Sequence, residues 1–159
     1  MGTAYEGSLR DERALDAFIK LLRAAHWASV GAGEHRRRAG FTEAQFGVLE
    51  VLYHKGPMFQ AEIADKLLSS PSNLTLVLDN LERDGFISRA QDPGDRRRRN
   101  VRLSAKGRRR IEALFPRHVD GITEIMSALT RSELDDLARL CRKLGLTARA
   151  GVEDATAAA

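Results

Sequence analysis

The chain has 159 residues and 17.6 kDa, 43% hydrophobic and 30% charged. That is enough apolar material for one domain or a compact two-part unit, and it excludes a disordered chain or a fibrous repeat. The net charge is +4, yet residues 86–110 hold ten Lys/Arg against only Asp92 and Asp95, a local +8 that leaves −4 for the remainder. One concentrated basic patch on an otherwise acidic protein is the footprint of a phosphate-backbone binder.

The pattern from about Asp11 to Ala28 predicts an amphipathic helix, with Leu15, Phe18, Ile19, Leu22 and Ala25 at helical spacing. Thr42-Glu43-Ala44-Gln45 has the spacing of a capping box opening a second helix, which Lys55-Gly56-Pro57 ends. A short third helix is expected over Gln60 to Leu68, then a tight turn at Ser69-Ser70-Pro71-Ser72. From Ser72 to Asp84, Leu74, Val77, Leu78 and Leu81 follow the pattern of a fourth helix, capped by Gly85.

The period then switches from helical to alternating. Phe86 to Gln91 and Arg99 to Leu103 read as two strands, with turn chemistry at Asp92-Pro93-Gly94-Asp95, so they form a hairpin whose tip carries the arginines. Ser104 is placed to cap a long fifth helix that Pro116 should kink or divide. Thr130-Arg131-Ser132-Glu133 opens a last helix to about Leu144, ended by Gly145, and the tail from Gly151 is expected to fray.

Two helices joined by a short turn and followed by a basic-tipped hairpin are the layout of a winged helix-turn-helix. A helix fits the major groove, where base edges are read. Away from its core stripe the fourth helix presents Ser72, Asn73, Thr75, Leu76, Asn80 and Arg83. Asn can bond adenine, Ser and Thr can bond bases or phosphates, and an exposed leucine can touch a thymine methyl.

The run from Ser70 to Ile87 resembles the recognition helix of MarR-family regulators, and the wing from Asp92 to Gly107 is similar to theirs. The likeness is clear from about Phe41 to Gly107 and looser out to Leu144. It implies a mainly α fold with a small β-hairpin wing, an obligate homodimer through N- and C-terminal helices, and binding to a pseudo-palindromic double-stranded DNA operator, usually as a repressor. It gives DNA contacts to Ser70, Ser72, Asn73, Thr75, Leu76 and Asn80. In the wing it assigns the minor-groove arginine to Arg97 and its orienting aspartate to Asp95, with Arg96, Arg98 and Arg99 adding phosphate contacts. Many relatives carry a polar or basic residue at the position of Leu76.

The resemblance further implies release from DNA by a small, often phenolic, anion bound between the dimer helices and the DNA-binding lobe. His26, Trp27, Tyr53, His54, Phe115 and His118 are the expected pocket residues, and the segments around Phe46–Gly56 and Phe115–His118 are similar to a quinone- and hydroquinone-responsive branch. The expected division is a dimerisation helix at 8–40, a DNA-binding lobe at 41–104, dimerisation helices at 105–147 and a frayed tail at 148–159. A lone winged-helix unit lacks partner surface for its terminal apolar stripes, which also argues for a twin copy.

Other readings are a winged-helix module for protein–protein contact and a redox-sensing regulator using Cys141. That single cysteine excludes an internal disulfide, and it continues the apolar spacing of Leu134, Leu137, Leu140 and Leu144 as a packed small residue would. The four histidines lack metal-ligand spacing, and neither a phosphate-cradling glycine motif nor a nucleophile elbow is present, so no enzyme, metal or cofactor is expected. No apolar run approaches the roughly 20 residues of a membrane span. Met1 to Glu6 lacks a signal-peptide pattern, so a cytoplasmic protein is expected.

Overall fold

The computed structural model describes residues 5–91, 94 and 98–157. By packing, the chain divides into two compact units, Met1–Ile122 and Thr123–Ala159.

In the first unit, α1 (Leu9–Ala32) starts at Ser8, whose hydroxyl caps the amide of Asp11. None of its residues is buried. The five-residue α2 (Glu34–Arg38) was not foreseen in the sequence. It is tied back to α1 by two arginines, Arg36 reaching the Ser29 carbonyl and Arg37 the Val30 carbonyl. The capping box at Thr42 and Gln45 is formed in both directions and starts α3 (Glu43–Lys55), whose Phe46, Val48, Leu49 and Leu52 enter the core.

Gly56, at φ +79°, ends α3. A two-residue strand, β1 (Met58–Phe59), follows, and then α4 (Gln60–Lys66), whose first turn is closed by Glu62 accepting from the Phe59 amide. After the turn comes α5 (Pro71–Arg83). It begins one residue before the sequence reading places it, because Ser70 is the cap and Pro71 takes the first helical position, where its missing N–H costs nothing. Leu74, Val77, Leu78 and Leu81 are buried, so the apolar stripe of α5 is the core face as expected.

Strands β2 (Ile87–Gln91) and β3 (Arg99–Leu103) pair antiparallel, Ile87 with Leu103 through to Gln91 with Arg99. On the other edge of β3, Met58 pairs with Val101 and Phe59 with Asn100, so the wing is a three-stranded sheet in the order β1-β3-β2. Ser104 then caps α6 (Ala105–Met126) through the Gly107 amide. Pro116 lies inside this one helix and does not divide it. The core joins α3, α4, α5, the base of the wing and Ile111 and Leu114 of α6.

The second unit carries the last turn of α6 and α7 (Arg131–Ala157), opened by Thr130 and Glu133 bonding each other's ends. Here the sequence reading stops too early. The helix runs through Gly145 and Gly151, where an added Cβ would meet open space and each glycine costs only about 1 kcal/mol relative to alanine. Among the described residues no helix is long and apolar enough to cross a membrane.

Candidate nucleic-acid interface

The buried leucine face of α5 fixes what its opposite face offers. Ser72, Asn73, Thr75 and Leu76 are exposed, Leu76 at 61%, and Asn80 is half-buried. Leaving most of Leu76 uncovered in a helix that buries four other apolar residues makes a methyl-rich tip available to a partner. Ser70 is placed differently: its oxygen accepts from the Asn73 amide as the cap and lies 3.3 Å from the Ser72 hydroxyl. The Asn73 side-chain amide donates to Ser69 Oγ at 3.3 Å, which aims it across the start of the helix. Thr75 donates to the Pro71 carbonyl and accepts from Gln60, so its hydroxyl is engaged on both sides.

Beside this face a cleft of about 630 Å³ separates α5 from the wing, lined by Phe59, Gln60, Thr75, Asp79, Arg89, Arg98 and Arg99 among others. The guanidinium of Arg98 stacks 3.7 Å above the Phe59 ring, and Arg102 donates to Ser88 across the strand pair. Asp95, Arg96 and Arg97 lie outside the described residues.

Among the described residues, not every cation of the basic segment is free to meet a phosphate. Arg89 is only 10% exposed and bonds Asp79 and Glu82. Lys106 donates to the Asp84 carbonyl and Arg110 to the Ala39 carbonyl, each neutralising the negative end of a helix. Of the described cations, Arg98 and Arg99 border the cleft beside α5, as Arg89 does, whereas Arg102 stands on β3 bonded to Ser88. Spacing in the sequence cannot separate a cation that faces a phosphate from one that caps a carbonyl.

The residues expected to form a ligand pocket fall in two places. His26 and Trp27 touch each other on the exposed part of α1, Trp27 at 65% exposure. Tyr53, His54, Phe115 and His118 gather into one aromatic cluster between α3 and α6, which His35 and Phe46 extend. Of the six, His118 also lines a second cavity, of about 580 Å³, under the helix-turn-helix turn. That cavity is bordered by Arg36, Phe46, Glu50, Ser69, Ser70 and Asn73 as well.

Arg36 is the residue that sequence reasoning missed. It is 8% exposed, donates to Ser29 and pairs with Glu43 at 3.2 Å. His118 is 9% exposed and its Nδ1 has no hydrogen-bond partner. Burial, and then the charge of Arg36, holds its imidazole below the usual histidine range. Burial likewise lowers His35, helped by the charge of His118, and burial raises Glu50. Among the described residues no group of histidine, cysteine and carboxylate could hold a metal ion.

The family model of the MarR family matches residues 41–98. The chain is 36% identical to the HTH-type transcriptional regulator YkoM of Bacillus subtilis over 135 residues, covering 85% of this chain and 88% of that protein. It is 33% identical to the HTH-type transcriptional regulator MhqR of Bacillus subtilis, covering 87% and 95%. Its fold matches that of BpsR of Bordetella bronchiseptica, whose DNA binding is regulated by 6-hydroxynicotinic acid, with a TM-score of 0.75 at 22% identity over 81% of this chain and 98% of that one. With a helix-turn-helix, a three-stranded wing and relatives of matching length, the chain belongs to the MarR family of HTH-type transcriptional regulators.

Proposed function

We propose that the protein is a cytoplasmic, non-enzymatic homodimer that represses transcription at a pseudo-palindromic operator, with α5 in the major groove and the wing on the adjacent minor groove. The observation that carries the reading is the exposed Ser72–Asn73–Thr75–Leu76 face, backed by four buried apolar residues of the same helix and flanked by the wing arginines. Asn73 and Leu76 read bases, and Ser72, Thr75 and Asn80 support them. Ser70 sets the helix start. In the wing, Arg97 enters the minor groove with Asp95 orienting it, and Arg96, Arg98 and Arg99 hold phosphates.

Pairing is supported by apolar side chains left in the open. Leu15, Phe18, Leu22 and Trp27 are exposed on α1, and Leu137, Leu140, Leu144 and Leu146 on α7. A second copy is the economical cover for both helices. Two-fold symmetry then sets two recognition helices about 34 Å apart, one turn of duplex.

The effector is a small aromatic anion, as BpsR's response to 6-hydroxynicotinic acid suggests by analogy. The 580 Å³ cavity is its candidate seat: Arg36, paired with Glu43, brings positive charge, and Phe46 and His118 bring aromatic walls, with Glu50 also on the border. Ser69, Ser70 and Asn73 border the same space, so an occupant presses on the start of α5.

The test is selection of duplexes from a randomised pool by the full-length protein, followed by mobility-shift titration at several salt concentrations. The reading expects one enriched inverted repeat, two chains per duplex and a steep log–log loss of affinity with salt. A pool that stays random after selection would refute it.

A further inference from the structure

We infer that Arg89 is a positioning residue that locks the wing to the recognition helix and so sets how far apart the two reading elements stand. This rests on the DNA-reading role proposed above for α5 and the wing. Arg89 belongs to β2, whereas both of its acidic partners belong to α5 and stand one turn apart on it. Its Nη2 donates to Asp79 Oδ1 at 2.6 Å and to Glu82 Oε2 at 2.6 Å, and its Nε donates to Glu82 Oε2 at 2.8 Å. The backbone amide of the same residue donates to Glu82 Oε1 at 2.9 Å. Four bonds therefore run from one strand position to two turns of one helix.

Their geometry makes this a clamp rather than a loose pair. A planar guanidinium that spans two carboxylates fixes direction as well as distance, and a strand amide held by the same carboxylate stops the strand from sliding. Glu82 is pulled below the usual carboxylate range by its bonds to Arg89, so both ends stay ionised at neutral pH. Beyond Arg89 the strand has only Ala90 and Gln91 before the tip, and the cleft of about 630 Å³ opens there between wing and helix. The clamp is thus placed where β2 parts from α5, and the wing leaves it at an angle the clamp sets. With Arg89 already committed to two carboxylates, it is not the group that meets a phosphate.

The experiment compares wild type with Arg89→Met on a duplex that wild type has selected, reading both grooves. Guanine N7 methylation protection reports α5 in the major groove, and hydroxyl-radical protection reports the wing in the minor groove. For Arg89→Met, minor-groove protection fades, major-groove protection persists and affinity falls about tenfold. Asp79→Asn, which keeps Oδ1 as the acceptor for Nη2, stays within about threefold of wild type in both footprints. Should Arg89→Met fail to melt cooperatively, Glu82→Ala breaks the clamp from the helix side and predicts the same selective loss. Unchanged footprints and affinity in the clamp-breaking variant would overturn the inference. So would a uniform loss in both grooves with the salt slope reduced by about one, the sign of a direct phosphate contact. If wild type itself selects no duplex, it is the DNA-reading role that fails.

Discussion

His118 Nε2 stands 3.7 Å from Glu50 Oε1, beyond hydrogen-bond reach, while the other nitrogen of the same ring is buried with no partner. The ring lies 4.9 Å, centroid to centroid, from that of His35, whose Nε2 is buried in the same condition. Two imidazoles are thus held neutral beside the charge of Arg36. In the unfolded chain both titrate near 6.5. In the fold burial lowers both, so below about pH 6.5 the unfolded state binds protons that the native state refuses. Their stabilising contribution is present above that pH and is lost as the pH falls. Glu50 works in the opposite sense in a lower window, since its raised carboxyl gains protons more readily when folded. The melting temperature is therefore expected to drop from pH 7.5 to 5.5, and His118→Asn to flatten part of that slope. Thermal melts across the range check this, and a melting temperature that holds or rises toward pH 5.5 contradicts it.

Gly107 is required by a close approach. A Cβ there would stand 1.9 Å from the Phe86 carbonyl oxygen and 2.9 Å from its carbon, and backbone atoms cannot swing aside. That carbonyl already accepts from the Ser104 amide, and the Ser104 hydroxyl bonds the Gly85 carbonyl and the Gly107 amide, so the join of wing and α6 is cross-braced. Gly107→Ala is expected to cost about 3 kcal/mol by overpacking. Urea unfolding measures it, and a loss under about 0.5 kcal/mol would show that the contact relaxes freely.

Leu76 and Leu78 stand two positions apart on α5 and separate function from stability. Leu78 is fully buried, and its truncation to alanine should cost about 2–5 kcal/mol of stability. Leu76 is 61% exposed, so Leu76→Ala should leave the melting temperature nearly unchanged and lower affinity at sites carrying a thymine beneath it. Paired melts and mobility-shift titrations check both. A destabilised Leu76→Ala protein with unaltered DNA affinity would reverse the assignment.

Much of this was legible in the sequence wherever a local rule governs it. The capping boxes at Thr42–Gln45 and Thr130–Glu133, the leucine stripe of α5 and the alternating strands of the wing all have short-range causes, and all are present. Strand β1 was missed because two residues carry no alternation; Met58 and Phe59 become a strand only when β3 lies beside them. The five-residue α2 depends on Arg36 and Arg37 reaching back seven residues to carbonyls of α1. The burial of Arg36 and the Arg89 clamp likewise come from partners brought near by the fold, and arginine is ordinarily read as a surface residue. Conversely, glycine was overread as a stop in α7, because a solvated helix tolerates it.

The exposed face of α5 as the sequence reader is tested most directly by Asn73→Ala, titrated against a wild-type-selected duplex and a random duplex of equal length. A base contact predicts roughly 1–3 kcal/mol lost on the selected duplex alone, with the random one unaffected. Equal loss on both duplexes, or none on either, would contradict it.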